Sequence, residues 1–144
     1  MNSSPLTSRD DHRAALEHAR DHWNRGDLSS YLELYDRDVV LHGYTGVEPG
    51  LRNVRRFYEE FWAAFPGSQL IFEDLISGQD KLVCRFVIRA KHGGPFQGLA
   101  ATGREIVMPG ITILRFSNGR CVERWSQVDA LGLLVQLGAL PASK

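Results

Sequence analysis

The hydrophobic period of this chain switches from helical to alternating at Pro66-Gly67, and that switch decides most of what the chain can fold into. Before it, Leu51, Val54, Tyr58, Phe61, Trp62 and Phe65 fall at i, i+3 and i+4 steps, which makes one broad apolar helix face. Pro66 and Gly67 stop that helix. After it, Gln69–Ser77, Leu82–His92, Arg104–Phe116 and Arg120–Val128 alternate with period two and read as strands. The stretches SGQD and SNGR punctuate them as hairpin turns. Helices early and antiparallel strands late specify an α+β domain.

The remaining elements fit that plan. Ser8 can cap a first helix, with Asp11 three residues on, and Ala15, Leu16, Ala19 and Trp23 recur at helical spacing before Gly26. Asp27 can cap a shorter helix carrying Leu28, Tyr31, Leu32 and Tyr35. Asp38–Tyr44 is short and β-branched, a strand; Asp129 can cap a last helix, Ala130–Gln136. The expectation is one domain over residues 1–144, with its core at about 12–141. A curved, mostly antiparallel sheet would form a cone around the N-terminal helices and leave an apolar pocket inside.

Charge and cysteine usage narrow the function classes. Lys plus Arg and Asp plus Glu both number 17, and no basic stripe is present, so nucleic acid and anionic membrane are not expected partners. No apolar run approaches the ~20 residues of a membrane span. The first residues lack the apolar stretch of a signal peptide, so a cytoplasmic location is expected. Cys84 and Cys121 sit inside strands without a CxxC spacing, so neither a disulfide framework nor a metal site is expected.

The residues that can carry chemistry lie in or at the ends of strands, beside loops such as the glycine-rich connection KHGGPFQGLAATG, Lys91–Gly103. Histidine needs the least tuning to act as a base near neutral pH. His42 or His92 is therefore the expected base, Asp129 its orienting partner, and Tyr44 or Ser126 the hydrogen-bond donor. Tyr58, Phe61, Trp62 and Met108 are expected on the pocket wall, with Phe96 folding over an apolar ligand or packing on another subunit. Asn118-Gly119 as a two-residue turn would pair Thr112 with Trp125. A three-residue turn with Gly119 in a bulge would instead pair Thr112 with Arg124 and Gly110 with Ser126. In the second register Arg124 would be buried and would need an acidic partner or an anionic substrate group.

Several segments together resemble the SnoaL-like polyketide cyclases, also called ester cyclases, of the nuclear-transport-factor-two-like fold. They are HGGPFQGLAATG from His92, RFSNGRCVERW from Arg115 and DALGLLVQLG from Asp129, with HWNRGDLSSYLELY and DVVLHG in the N-terminal half. The resemblance covers about residues 12–141 and implies an α+β cone, a homodimer, a deep pocket and no cofactor. It implies a cyclase or isomerase acting by acid/base chemistry on a small hydrophobic, oxygenated, polyketide-like substrate. It favours the second register. The family's catalytic aspartate position falls on Ser126 and its strand histidine on Thr112, so both become substrate-contact candidates, with Arg124, rather than acid/base groups. Two other readings use the same fold: a non-catalytic ligand-binding protein, and an epoxide hydrolase. The latter ranks lower, because Arg85, Arg89 and Arg124 are present but the later strands carry no aspartate. The outer sheet face, with Val83, Val87, Ile111 and Ile113, is expected to pair two copies.

Overall fold

The computed structural model describes residues 9–141, so the expected Ser8 cap lies outside the described residues. The chain runs α1 (Arg9–Asn24), α2 (Leu28–Tyr31), a 3-10 turn (Leu32–Leu34), β1 (Tyr35–His42), α3 (Leu51–Ala64), β2 (Gln69–Ser77), β3 (Lys81–Lys91), β4 (Glu105–Ser117), β5 (Arg120–Val128) and α4 (Ala130–Gln136). The α+β division at Pro66-Gly67 holds. The first strand starts three residues earlier than its β-branched run suggests, because the helix begun at Asp27 tightens and ends at Leu34. Tyr35 is therefore a strand residue, fully buried.

The five strands form one sheet in the order β1-β5-β4-β3-β2, with β1 parallel to β5 and every other pair antiparallel. The sheet does not close on itself, since β1 and β2 are edges. The helices complete the cone. Residues of α3 (Tyr58, Phe61) and of the inner sheet face (Phe86, Met108, Arg124) line the same cavity, so helix and sheet bound it from opposite sides.

Two side-chain amides finish exposed backbone. Asn24, at the end of α1, accepts from Leu70 N (2.7 Å) and donates to Leu70 O (3.0 Å) on β2. Gln136, in α4, does the same to Val107 of β4: its Oε1 accepts from the amide (2.7 Å) and its Nε2 donates to the carbonyl (2.8 Å). Each amide stands in for a missing strand at the point where the neighbouring ladder ends. Trp23, beside Asn24, donates its indole N–H to Ser68 Oγ at 3.1 Å and meets Tyr31, Tyr58 and Trp62 edge-on at 5.0–5.5 Å. Such aromatic pairs add about 0.5–1.5 kcal/mol each beyond area burial.

Neither expected register at the last hairpin occurs. Asn118 (φ 52°) and Gly119 (φ 79°) form a two-residue turn with both residues left-handed, and Ser117 pairs with Arg120. The bulge comes later, where the pairing passes from Phe116–Cys121 to Arg115–Glu123 and skips Val122. Thr112 thus pairs with Ser126, and Leu114 with Arg124. The shift from the second expected register is two residues, so the faces are those expected: Arg124 and Ser126 inward, Glu123 and Trp125 outward. A Cβ on Gly110 would sit 2.6 Å from Phe86 Cζ, so the space left there is filled by that ring.

The glycine-rich connection after β3 is fastened to the end of α3. Gly93 N and Gly94 N both donate to Ala64 O, at 2.9 and 3.1 Å. A Cβ on Gly94 would lie 2.2 Å from Ala63 O, so only glycine permits this approach. Gly94→Ala should therefore destabilise the protein by about 1–3 kcal/mol in urea unfolding, as overpacking does. Wild-type stability in that variant would contradict the fastening.

Candidate functional site

A cavity of about 250 Å³ opens between α3 and the sheet. Its walls are mostly apolar, with Trp23, Phe57, Phe61, Phe86, Ile88 and Met108 among them. Its polar end is Arg124, Tyr31, Tyr58, Tyr44 and Ser126. Apolar walls with a few convergent polar groups are the usual design of a small-molecule site, and the volume is just below the common range of ~300–1,000 Å³.

The polar end is built around one cation. Arg124 is 7 % exposed and projects inward from β5. Its Nε donates to Thr112 Oγ1 at 2.8 Å. Its Nη1 lies against three phenol oxygens: Tyr35, Tyr31 at 3.2 Å and Tyr58 at 3.4 Å. Those hydroxyls are themselves within 2.8–3.1 Å of one another. Thr112 Oγ1 continues to Ser126 Oγ (2.8 Å), which continues to Tyr44 OH (2.8 Å). The result is a connected set of hydroxyls from α2, α3, the sheet and the loop after β1, focused on one guanidinium.

No carboxylate completes it. Among the described residues, none forms an ion pair with Arg124. Nor does any aspartate, glutamate or histidine line the cavity. Burial raises the pKa of Tyr31, and raises Tyr35 and Tyr58 well above the ordinary phenol value, with the Arg124 charge pulling them down less strongly. The phenols are therefore neutral at physiological pH and carry the charge of Arg124 by dipoles alone. Among the described residues no group of three His, Cys, Asp or Glu side chains could hold a metal ion, and no helix is long and apolar enough to cross a membrane.

The structure separates the expected acid/base groups from the cavity. His42 is the last residue of β1 and points outward. Its side chain is 44 % exposed, stacks on Trp125 and makes a 2.7 Å contact with Glu123 Oε2, because β1 and β5 lie in register with both residues on the outer face. His92 is completely buried beneath the glycine-rich connection, packed on Phe65. Its Nδ1 accepts from Thr102 N at 3.1 Å, which puts the proton of the neutral ring on Nε2. The lone pair a base would use is occupied in shaping the loop. Asp129 caps α4, accepting from Gly132 N at 2.8 Å, and orients neither histidine.

The substrate-contact expectations divide differently. Tyr44, Tyr58, Phe61, Phe96, Met108, Arg124 and Ser126 line the cavity. Phe96 does so on its own chain, resting on Phe65 at 5.1 Å. Trp62 instead packs on Trp23, outside the lining, and Thr112 supports Arg124 and Ser126 from behind. Sequence reasoning missed Tyr31 and Tyr35. A Tyr-x-x-x-Tyr spacing read as one helical face hid the fact that the second tyrosine has passed into a strand. The signal available was their two hydroxyls, which need partners if the aromatic rings are buried.

A sequence profile of the SnoaL-like polyketide cyclases matches residues 13–137. The chain belongs to this family. AclR of Streptomyces galilaeus, a candidate hydroxylase, is 29 % identical with a TM-score of 0.84, over 95 % of this chain and 87 % of that one. TsrD of Streptomyces laurentii is 27 % identical with a TM-score of 0.84, over 94 % and 100 %. IdmH of Streptomyces antibioticus, a candidate polyketide cyclase, is 28 % identical with a TM-score of 0.76, over 88 % and 98 %. Comparison with curated proteins found no match. In this SnoaL-like chain, the positions that the family resemblance gives to an aspartate and a histidine hold Ser126 and Thr112, whose hydroxyls are 2.8 Å apart, with Thr112 accepting from the arginine.

The neutrality of the phenols is measurable. Tyr31, Tyr35 and Tyr58 have native pKa values above the ordinary 10.0, so the stability tied to their neutral forms is fully present below pH ~10. It is lost as pH rises through the raised values. In an ultraviolet titration these three tyrosines should stay protonated at pH 10 and ionise above it, with alkaline unfolding. Ionisation of all four tyrosines near pH 10 in the folded protein would contradict the cluster.

Proposed function

We propose that this protein is a cofactor-free cyclase or isomerase for a compact, hydrophobic, polyketide-like molecule, acting by charge stabilisation rather than through a protein base. The observation that carries this reading is Arg124, a buried cation at the polar end of an apolar cavity that holds no carboxylate or imidazole. Family membership and the likeness to a candidate polyketide cyclase support the cyclase type.

The chemistry follows from what the cavity contains. Ring closure between two carbonyl groups of one chain begins when a carbon beside a carbonyl gives up a proton. With no protein base on the wall, the substrate must supply the acidity, as a carbon flanked by two carbonyls does, and solvent accepts the proton. The negative charge then moves to carbonyl oxygen, where Arg124, Tyr44 and Ser126 can hold it. The carbanion carbon bonds to the second carbonyl, whose oxygen takes a proton. No atom is gained or lost, so the step is an isomerisation, and water may leave afterwards from the product. The hydroxyl pair Thr112–Ser126 keeps Arg124 oriented; a serine can donate a hydrogen bond but does not replace an aspartate as base.

A methyl 3-oxobutanoate with an ortho-acetylphenyl group at its terminal carbon closes to a naphthol and can be followed by absorbance. The wild-type protein should accelerate that closure. Arg124→Met should lower the rate by about 100- to 1,000-fold, as loss of an oxyanion donor does. His42→Ala should stay within about twofold of wild type, since the ring lies outside the cavity. Binding of the compound with no acceleration would favour instead a non-catalytic carrier, the reading that the missing base also fits.

We also propose that the outer sheet face joins two copies. Ile76, Val83, Ile113 and Trp125 form one laterally paired row across four strands, and nearby Ile111 is 51 % exposed. Apolar patches of this kind are seldom left in water. Sedimentation should give a dimer that Ile113→Asp dissociates; a wild-type monomer at all concentrations would contradict it.

A further inference from the structure

We propose that the molecule bound in this cavity is an anion from the start, and that its oxyanion is the missing counter-ion of Arg124. The proposal rests on the cavity's being the functional site, but not on ring closure. A guanidinium has five N–H donors. Here Nε is taken by Thr112 and Nη1 by the tyrosine hydroxyls, while Nη2 has no acceptor among the described residues. The polar atoms that are fully buried without a partner among the described residues are His12 Nδ1, Trp62 Nε1 and His92 Nε2, so Arg124 Nη2 keeps some exposed surface. The cavity that Arg124 lines is the apolar one.

Two N–H groups on one planar nitrogen, in a cavity that the Ser126 and Tyr44 hydroxyls also line, match an oxyanion spread over two oxygens. A neutral ligand would leave a desolvated charge without a partner, which is the expensive case for a buried ion. The phenols can lend dipoles but, being kept neutral, cannot lend charge. A carboxylate and the enolate of a 1,3-dicarbonyl share this chemistry. The cavity's size and aromatic walls limit the rest of the ligand to a small, flat, apolar body.

Calorimetric titration of the wild-type protein at pH 7 tests this with two pairs of probes of similar shape. One pair is 2-naphthoate and 2-naphthamide; the other is the enolate of 2-acetyl-1,3-indandione and neutral 1-indanone. An anion should bind about tenfold or more tightly than its neutral partner. A preference in one pair alone supports the proposal and names the source, carboxylate or enolate. Arg124→Met should bring the two members of a pair within twofold, while Arg124→Lys should retain part of the difference. Circular dichroism checks that both variants fold, and the wild-type comparison stands without them. Equal binding of anions and neutral partners would overturn the proposal while leaving a cyclase that uses neutral substrates. Failure of every probe to bind would overturn it as well, and the ring-closure assay would then judge the cyclase reading separately.

Discussion

A full positive charge buried among aromatic rings is the constraint that the rest of the site answers to. Arg124 has no carboxylate in reach among the described residues, so its stabilisation must come from oriented dipoles. That requirement accounts for the unusual company it keeps: three tyrosines brought from α2, β1 and α3 to within hydrogen-bond distance of one nitrogen. Their rings are part of the core and their hydroxyls are part of the site. The same residues therefore serve packing and charge, and neither could be changed without the other.

The sheet supplies the second half of this arrangement. The bulge at Val122 sets β5 against β4 so that Thr112 meets Ser126 and Arg124 lies one pair further along the inner face. An unbulged hairpin would turn Ser126 and Arg124 outward relative to Thr112, since a shift of one residue exchanges the two faces. In the family resemblance these two facing positions belong to an acid/base pair. Here they are two hydroxyls, which can orient and donate but do not titrate near neutral pH. Under the proposed function, the two hydroxyls and the cation beside them together make a site suited to holding negative charge rather than to moving protons.

How much of this was legible in the sequence depends on the range of the interactions involved. The break at Pro66-Gly67, the aromatic face of α3, the hairpin turns and the cap at Asp129 are set by neighbours in sequence, and all appear in the structure. The inward face of Arg124 was legible only through the family resemblance, which favoured one of two registers of opposite parity. The position of the bulge was not, since a bulge can sit at Gly119 or at Val122 with the same parity. His42, read at a strand centre, and His92, read at a strand end, looked equally able to reach the pocket, yet one is stacked outside on Trp125 and the other is locked under a loop by Thr102. Those fates depend on β1 pairing parallel to β5 and on the Gly93–Gly94 docking to α3, contacts across ~30 to 80 residues that no local pattern encodes. Tyr35 was hidden for the same reason: a helical spacing carried it into a strand.

If the cation is kept for the ligand rather than for the fold, removing it should cost the fold little. Desolvating a charge that has no protein counter-ion is unfavourable, and methionine fills a similar volume without that penalty. Urea unfolding of Arg124→Met against wild type, both without ligand, measures the balance directly. The account predicts a variant within about 1 kcal/mol of wild type, or more stable than it. A loss of about 3–5 kcal/mol, the size seen when a buried ion pair is broken, would show instead that Arg124 is a structural keystone and would contradict the account.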